Sequence, residues 1–172
     1  QRQRVAIAAA LVLDPDGLIC DEPVSMLDVS VRAQVLKVLM DLRTSRSLAL
    51  LFITHDLGLA WALCDRIAVM YLGRIVEQGA AHHVIEHPRH PYTQALVAAV
   101  PAPDRERGGR LVAGEPPDAA NIPSGCRLHP RCPHRFEPCD REDPPLFDTG
   151  EDGHRAACLL LSPGLSSGSA RA

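Results

Sequence analysis

The chain has 172 residues, a formal net charge of −3 and only three Phe, two Tyr and one Trp. An acid-leaning composition with so few aromatic platforms offers a phosphate backbone little attraction and bases little to stack on, which argues against nucleic-acid binding. No apolar run approaches the ~18–20 residues needed to span a bilayer, and the first residues lack the basic-then-apolar order of a signal peptide. The chain therefore reads as cytosolic, and its six cysteines as ligands or buried thiols rather than disulfides.

Residues Gln1 to Leu13 read as a helix with a polar first turn, and Asp14-Pro15-Asp16-Gly17 as a turn. Leu18-Ile19-Cys20 is an apolar strand that runs into Asp21-Glu22-Pro23, where the proline stops it. Val24 to Asp28 is a loop, and from about Val29 the positions Val31, Val35, Leu36, Val38, Leu39 and Leu42 recur at helical spacing to near Arg43–Ser47. Leu48 to Ile53 is a second buried strand, ended by Thr54-His55-Asp56. A helix over Leu57–Cys64 precedes a strand over Arg66–Tyr71, a turn at Leu72-Gly73-Arg74 and a return strand over Ile75–Gly79. Ala80–Glu86 and Pro91–Val100 are two short helices. Strands alternating with helices imply an α/β fold with a mostly parallel sheet.

The composition changes near Pro101. Residues 1–100 are rich in Leu, Val, Ile and Ala, and residues 101–125 form a Pro/Gly/Arg-rich linker. Residues 126–160 are a small irregular cysteine-rich extension, and residues 161–172 a Ser/Gly/Ala tail expected to be disordered.

Chemistry concentrates where apolar strands end in titratable residues. An unpaired buried carboxylate is costly, so Asp21 and Glu22 are expected at the mouth of their strand, facing a cation or polar ligand, where open α/β sheets hold their sites. A carboxylate to orient Mg²⁺, another to polarise water and a polar group such as His55 for the terminal phosphate suit metal-assisted phosphate-ester hydrolysis. The phosphate cradle itself is not found: these residues contain no Gly-x-x-x-x-Gly-Lys-Ser/Thr loop.

Cys126, Cys132, Cys139 and Cys158 cluster in a segment too small for a large core, which suggests a metal staple. The paired Cys-x₂-Cys knuckles of structural zinc sites are absent, so a Cys₄ iron–sulfur cluster is favoured over zinc, with unliganded or disulfide-paired thiols as the remaining alternative. His129, His134 and His154 are spare candidate ligands, each more simply read as a solvated or hydrogen-bonded side chain. Cys20 and Cys64 lie singly in apolar segments and read as small buried side chains.

Gln1 to Ala8, then Ile19-Cys20-Asp21-Glu22-Pro23, Ser25-Met26-Leu27-Asp28 and Ile53-Thr54-His55-Asp56 resemble, in order and spacing, the second half of an ABC-transporter ATPase, a P-loop NTPase domain. The resemblance implies that Gln1 ends the Leu-Ser-Gly-Gly-Gln signature and that Asp21 is the Walker B aspartate holding Mg²⁺ through water. It implies that Glu22 activates the attacking water, that Ser25 to Asp28 form the D-loop facing a partner ATPase, and that His55 senses the γ-phosphate. Met70 to Gly79 and His90 to Leu96 resemble the oligopeptide/dipeptide importers. Gly125-Cys126-x₅-Cys132-Pro133-x₅-Cys139 with His154 and Cys158 resembles those importers' C-terminal extension, which implies a [4Fe–4S] cluster. The implied partners are a second ABC ATPase subunit, two transmembrane permease subunits and, indirectly, a peptide-binding protein, at the cytoplasmic face of the inner membrane.

On this reading the chain is a C-terminal fragment or the product of a truncated gene, lacking the Walker A loop, the Q-loop and most of the signature. It departs from the family pattern at Ala9, Met26 and Gly17, none of which removes a catalytic group; Met26 adds bulk to the D-loop. The expected function is an ATP-hydrolysing subunit that powers peptide import. The alternative is a non-catalytic fragment acting as an interaction or metal-binding module.

Overall fold

A computed structural model describes residues 2–100, 114–115, 117–118 and 120–163. The described residues fall into two compact units, divided after Asp56. The expected signature residue Gln1 lies outside them, as do most of the expected linker and tail.

In the first unit, helix α1 (Arg2–Ala10) tightens into a 3₁₀ turn over Leu11–Leu13 and stops at Asp14, whose φ of 46° is left-handed. The single helix expected to Leu13 ends early because Pro15 bars its predecessor from the α region. Strand β1 (Gly17–Asp21) and strand β2 (Ala49–Ile53) pair in parallel, with Gly17 opposite Ala49 and Asp21 opposite Ile53. Between them runs α2 (Val29–Arg46). Asp28 caps it, its carboxylate accepting the Val31 N–H at 3.1 Å, and Ser47 ends it in a left-handed conformation. The buried residues here are Cys20, Val24, Val35, Leu39 and Leu48. Ile19, Leu51 and Ile53 are exposed, so the strands expected to be buried on both faces are covered on one among the described residues.

The second unit opens with α3 (Leu57–Leu63) and an antiparallel hairpin of β3 (Arg66–Tyr71) and β4 (Arg74–Ala80). Leu72 and Gly73 both have positive φ, at 46° and 76°, the geometry of a type I′ hairpin turn. Helices α4 (Ala81–Glu86) and α5 (Pro91–Ala99) follow, the latter started by Pro91 and capped by the His90 ring. Two further strands, β5 (Phe147–Asp148) and β6 (Arg155–Ala156), join the hairpin to give the order β3-β4-β6-β5. Among the described residues β1 and β2 form the expected parallel pair, and every pairing in this second sheet is antiparallel, beginning with the expected hairpin, whose strands a tight turn makes run oppositely. Ile67, Val69, Tyr71, Val76, Val84, Ile85, Val97 and Leu128 form its core, so residues on both sides of the composition change share one hydrophobic cluster.

Candidate functional site

The first site grows from the parallel pair. Both strands end at the same level because Asp21 faces Ile53 in the register, and the Glu22 N–H donates to the Ile53 carbonyl at 3.0 Å, carrying the ladder one residue further. Glu22 then turns left-handed with φ of 42°, a conformation that costs a non-glycine residue on the order of 1 kcal/mol. That turn stops the strand and directs the chain into the loop. The Ser25 N–H and hydroxyl both donate to the Glu22 carbonyl, at 3.1 and 2.9 Å, so Ser25 braces the turn. Met26, also left-handed at φ of 62°, stands fully exposed at its tip.

The two expected catalytic residues meet here. His55 Nδ1 lies 3.0 Å from Glu22 Oε1, with the side chains 78% and 46% exposed. His55 is presented by the bend after β2, where the Thr54 hydroxyl accepts the Asp56 N–H at 3.0 Å. Asp21 is exposed next to them, and two neighbouring carboxylates open to solvent suit a hard cation and its water. Asp28 is directed instead to the α2 cap.

The second site lies in the second unit. Cys126, Cys132, Cys139 and Cys158 line one cavity with about 10 Å³ of free space, together with His90 and Leu128. Backbone bonds bring them together: Cys126 N–H donates to Cys139 O at 2.9 Å, and Cys132 N–H to His129 O at 3.4 Å. Gly125 makes the first of these possible, because a Cβ there would sit 2.6 Å from the Cys139 carbonyl oxygen at a φ of +65°. No disulfide links the cysteines. Burial pushes the Cys158 thiol up to about 11 and raises Cys126 and Cys132 as well, with neighbouring thiols adding to each.

The four cysteines expected to cluster all line this one cavity. Among the described residues no group of three or more His, Cys, Asp or Glu is placed to hold a metal ion. Of the spare histidines, His129 turns its Nδ1 to the Cys126 carbonyl at 3.0 Å, and His154 is engaged by the buried Glu77 carboxylate.

Residues 76–139 match the family model described as "Oligopeptide/dipeptide transporter, C-terminal region". The chain is 51% identical over 163 residues to the dipeptide transport ATP-binding protein DppF of Escherichia coli, covering 94% of this chain and 48% of that protein. It is 50% identical over 165 residues to the probable peptide ABC transporter ATP-binding protein y4tS of Sinorhizobium fredii, covering 95% and 46%. Over nearly its whole length this chain is similar to about half of these peptide-transport ATP-binding proteins, and its residues 76–139 resemble the C-terminal region of oligopeptide/dipeptide transporters. It spans about half the length of the curated relatives it matches. A solved structure of cbiO1 from Clostridium perfringens, part of an ABC transporter complex, aligns at a TM-score of 0.45 and 34% identity over 49% of this chain and 34% of that one.

Sequence reasoning missed three residues that organise the second unit: Glu77, His90 and Glu151. Glu77 and His90 are 0% and 1% exposed, and nothing local distinguishes them from solvated residues of a strand edge and a loop. The available signal was weak: Glu77 directly follows the apolar Val76 in β4, and His90 directly precedes the Pro91 that starts α5.

Proposed function

We propose that the protein carrying this chain is the ATP-hydrolysing subunit of an importer of oligopeptides or dipeptides. The contact between Glu22 and His55 at the joint mouth of β1 and β2 is the observation that carries this reading. Glu22 is the general base: its exposed carboxylate takes the proton of the attacking water. His55 holds that carboxylate through Nδ1–H, which leaves the opposite edge of the ring to meet the terminal phosphate. Asp21 would hold Mg²⁺, which when bound would supply charge neutralisation at the phosphate. Gln1, Ser25 and Asp28 serve the nucleotide and the facing subunit, Ser25 by bracing the Glu22 turn and Asp28 by starting α2.

The partners in this reading are a second ATPase subunit, two transmembrane permease subunits and, beyond them, a peptide-binding protein. No helix among the described residues is long and apolar enough to cross a membrane, consistent with a peripheral subunit that meets the bilayer through its permeases at the cytoplasmic face. Replacing Glu22 by Gln in the full-length protein keeps shape and hydrogen-bonding while removing the base. Turnover should fall ~10²–10⁴-fold with ATP binding retained. Unchanged turnover would overturn the assignment.

The finer reading of the cysteine module is a [4Fe–4S] cluster, with zinc as the alternative. Four thiols gathered on one cavity support it, and loading requires them to lose their protons. Anaerobic purification followed by visible absorption and metal analysis separates a coloured cluster from colourless stoichiometric zinc.

A further inference from the structure

Glu77 is completely buried in β4, yet both of its oxygens are engaged. Oε1 accepts the Arg89 N–H at 2.7 Å and faces His154 Nε2 at 2.7 Å, and Oε2 accepts the His90 N–H at 2.9 Å. His154 is equally buried, and its other ring nitrogen, Nδ1, lies 2.9 Å from Glu151 Oε2. Both ring nitrogens thus face carboxylate oxygens, so the ring is held between Glu77 and Glu151. Gly79 makes room for it, since a Cβ there would come within 3.1 Å of His154 Cα.

Two of these partners lead to the thiol cavity. His90 lines it from the start of α5, fixed by its backbone bond to Glu77. Cys158 lines it from another side, four residues beyond His154, and the intervening Arg155–Ala156 pair with Gln78 and Glu77. The Ala157 N–H then donates to the Val76 carbonyl at 2.7 Å, clamping the same segment to β4.

We infer that Glu77 is the positioning hub of the thiol cavity, and that its buried pair with His154 is the latch holding Cys158 in the cavity wall. The inference rests on the cavity and not on any metal within it. Breaking the latch releases the Cys158 segment while the hairpin stays folded, because β3 and β4 retain their own ladder and core.

The test is site-resolved alkylation of the complete chain, reduced and treated with EDTA, using iodoacetamide at neutral pH with peptide mass spectrometry. In the His154→Gln variant, Cys158 should be modified about ten- to a hundredfold faster than in the parent, the range expected when one charge-assisted hydrogen bond is lost from a local opening equilibrium. Cys20, buried in the other compact unit, should keep its rate. Glu77→Gln should release Cys158 similarly. An unchanged Cys158 rate in folded His154→Gln overturns the inference. So does an equal rise at all six cysteines in both variants, the signature of a global stabiliser. ATP turnover enters neither outcome, so the result is independent of the proposed hydrolysis.

Discussion

His55 Nδ1 and Glu22 Oε1 lie 3.0 Å apart although 33 residues separate them in sequence. An exposed pair of this kind contributes roughly 0–1 kcal/mol to stability, because water and salt screen it. Its proposed role in hydrolysis can therefore be separated from any role in folding. His55→Ala should shift the midpoint of chemical denaturation of this chain by less than about 1 kcal/mol equivalent. In the full-length protein the same substitution should lower ATP turnover by about two orders of magnitude. Comparing the two measurements separates a catalytic contact from a structural one.

Asp28 presents the opposite problem, since its carboxylate caps α2 and also lies in the loop expected to face a second subunit. Asp28→Ala should destabilise the chain by about 1 kcal/mol, the usual cost of losing an N-cap. Asp28→Asn keeps a capping oxygen and should be nearly neutral by thermal denaturation. If the full-length Asn variant nevertheless loses turnover, the negative charge has a role beyond the cap.

The expected elements were legible where the signal is local. Apolar runs that stop on Asp21-Glu22 and on Thr54-His55 marked both strand ends, and Leu72-Gly73 marked the hairpin turn, because each pattern arises from a few adjacent residues. Strands β5 and β6 are two residues each, too short for any periodicity to register, and they exist only because β4 offers an edge. Glu77 was illegible for a related reason. Its hydrogen-bond partners are 12, 13 and 77 residues away, so its burial is settled by tertiary structure alone. The cysteines were recognised as a group from their clustering in sequence, but the tightness of their cavity depends on backbone bonds such as Cys126 to Cys139, which spacing does not reveal.

Gly125 is a position where glycine is required twice over, by φ of +65° and by the approach of the Cys139 carbonyl. Gly125→Ala should cost about 2 kcal/mol or more, combining left-handed strain with a contact that the backbone must yield to relieve. Thermal denaturation gives the loss. Alkylation should show Cys126 and Cys139 becoming more reactive together, since one backbone bond holds both.

His90 gives the chain a defined acid sensitivity. Burial lowers its ring from 6.5 to about 4, so at neutral pH it is uncharged, and its Nδ1 accepts the Tyr92 N–H at 3.1 Å. Between those two values the unfolded chain binds a proton that the folded chain refuses, so stability must fall as pH drops from about 6.5 towards 4. Lowering the pH from 7 to 5 should cost about 2 kcal/mol in urea denaturation. Glu151, whose carboxyl is lowered chiefly by its hydrogen bond with His154, loses its contribution only as pH falls below about its ordinary 4.5, under the pH 5–7 range compared. His90→Asn keeps a side-chain oxygen able to cap α5 but cannot titrate. The variant should therefore fold with a flatter dependence over pH 5–7, and an undiminished slope would assign the acid sensitivity to another group.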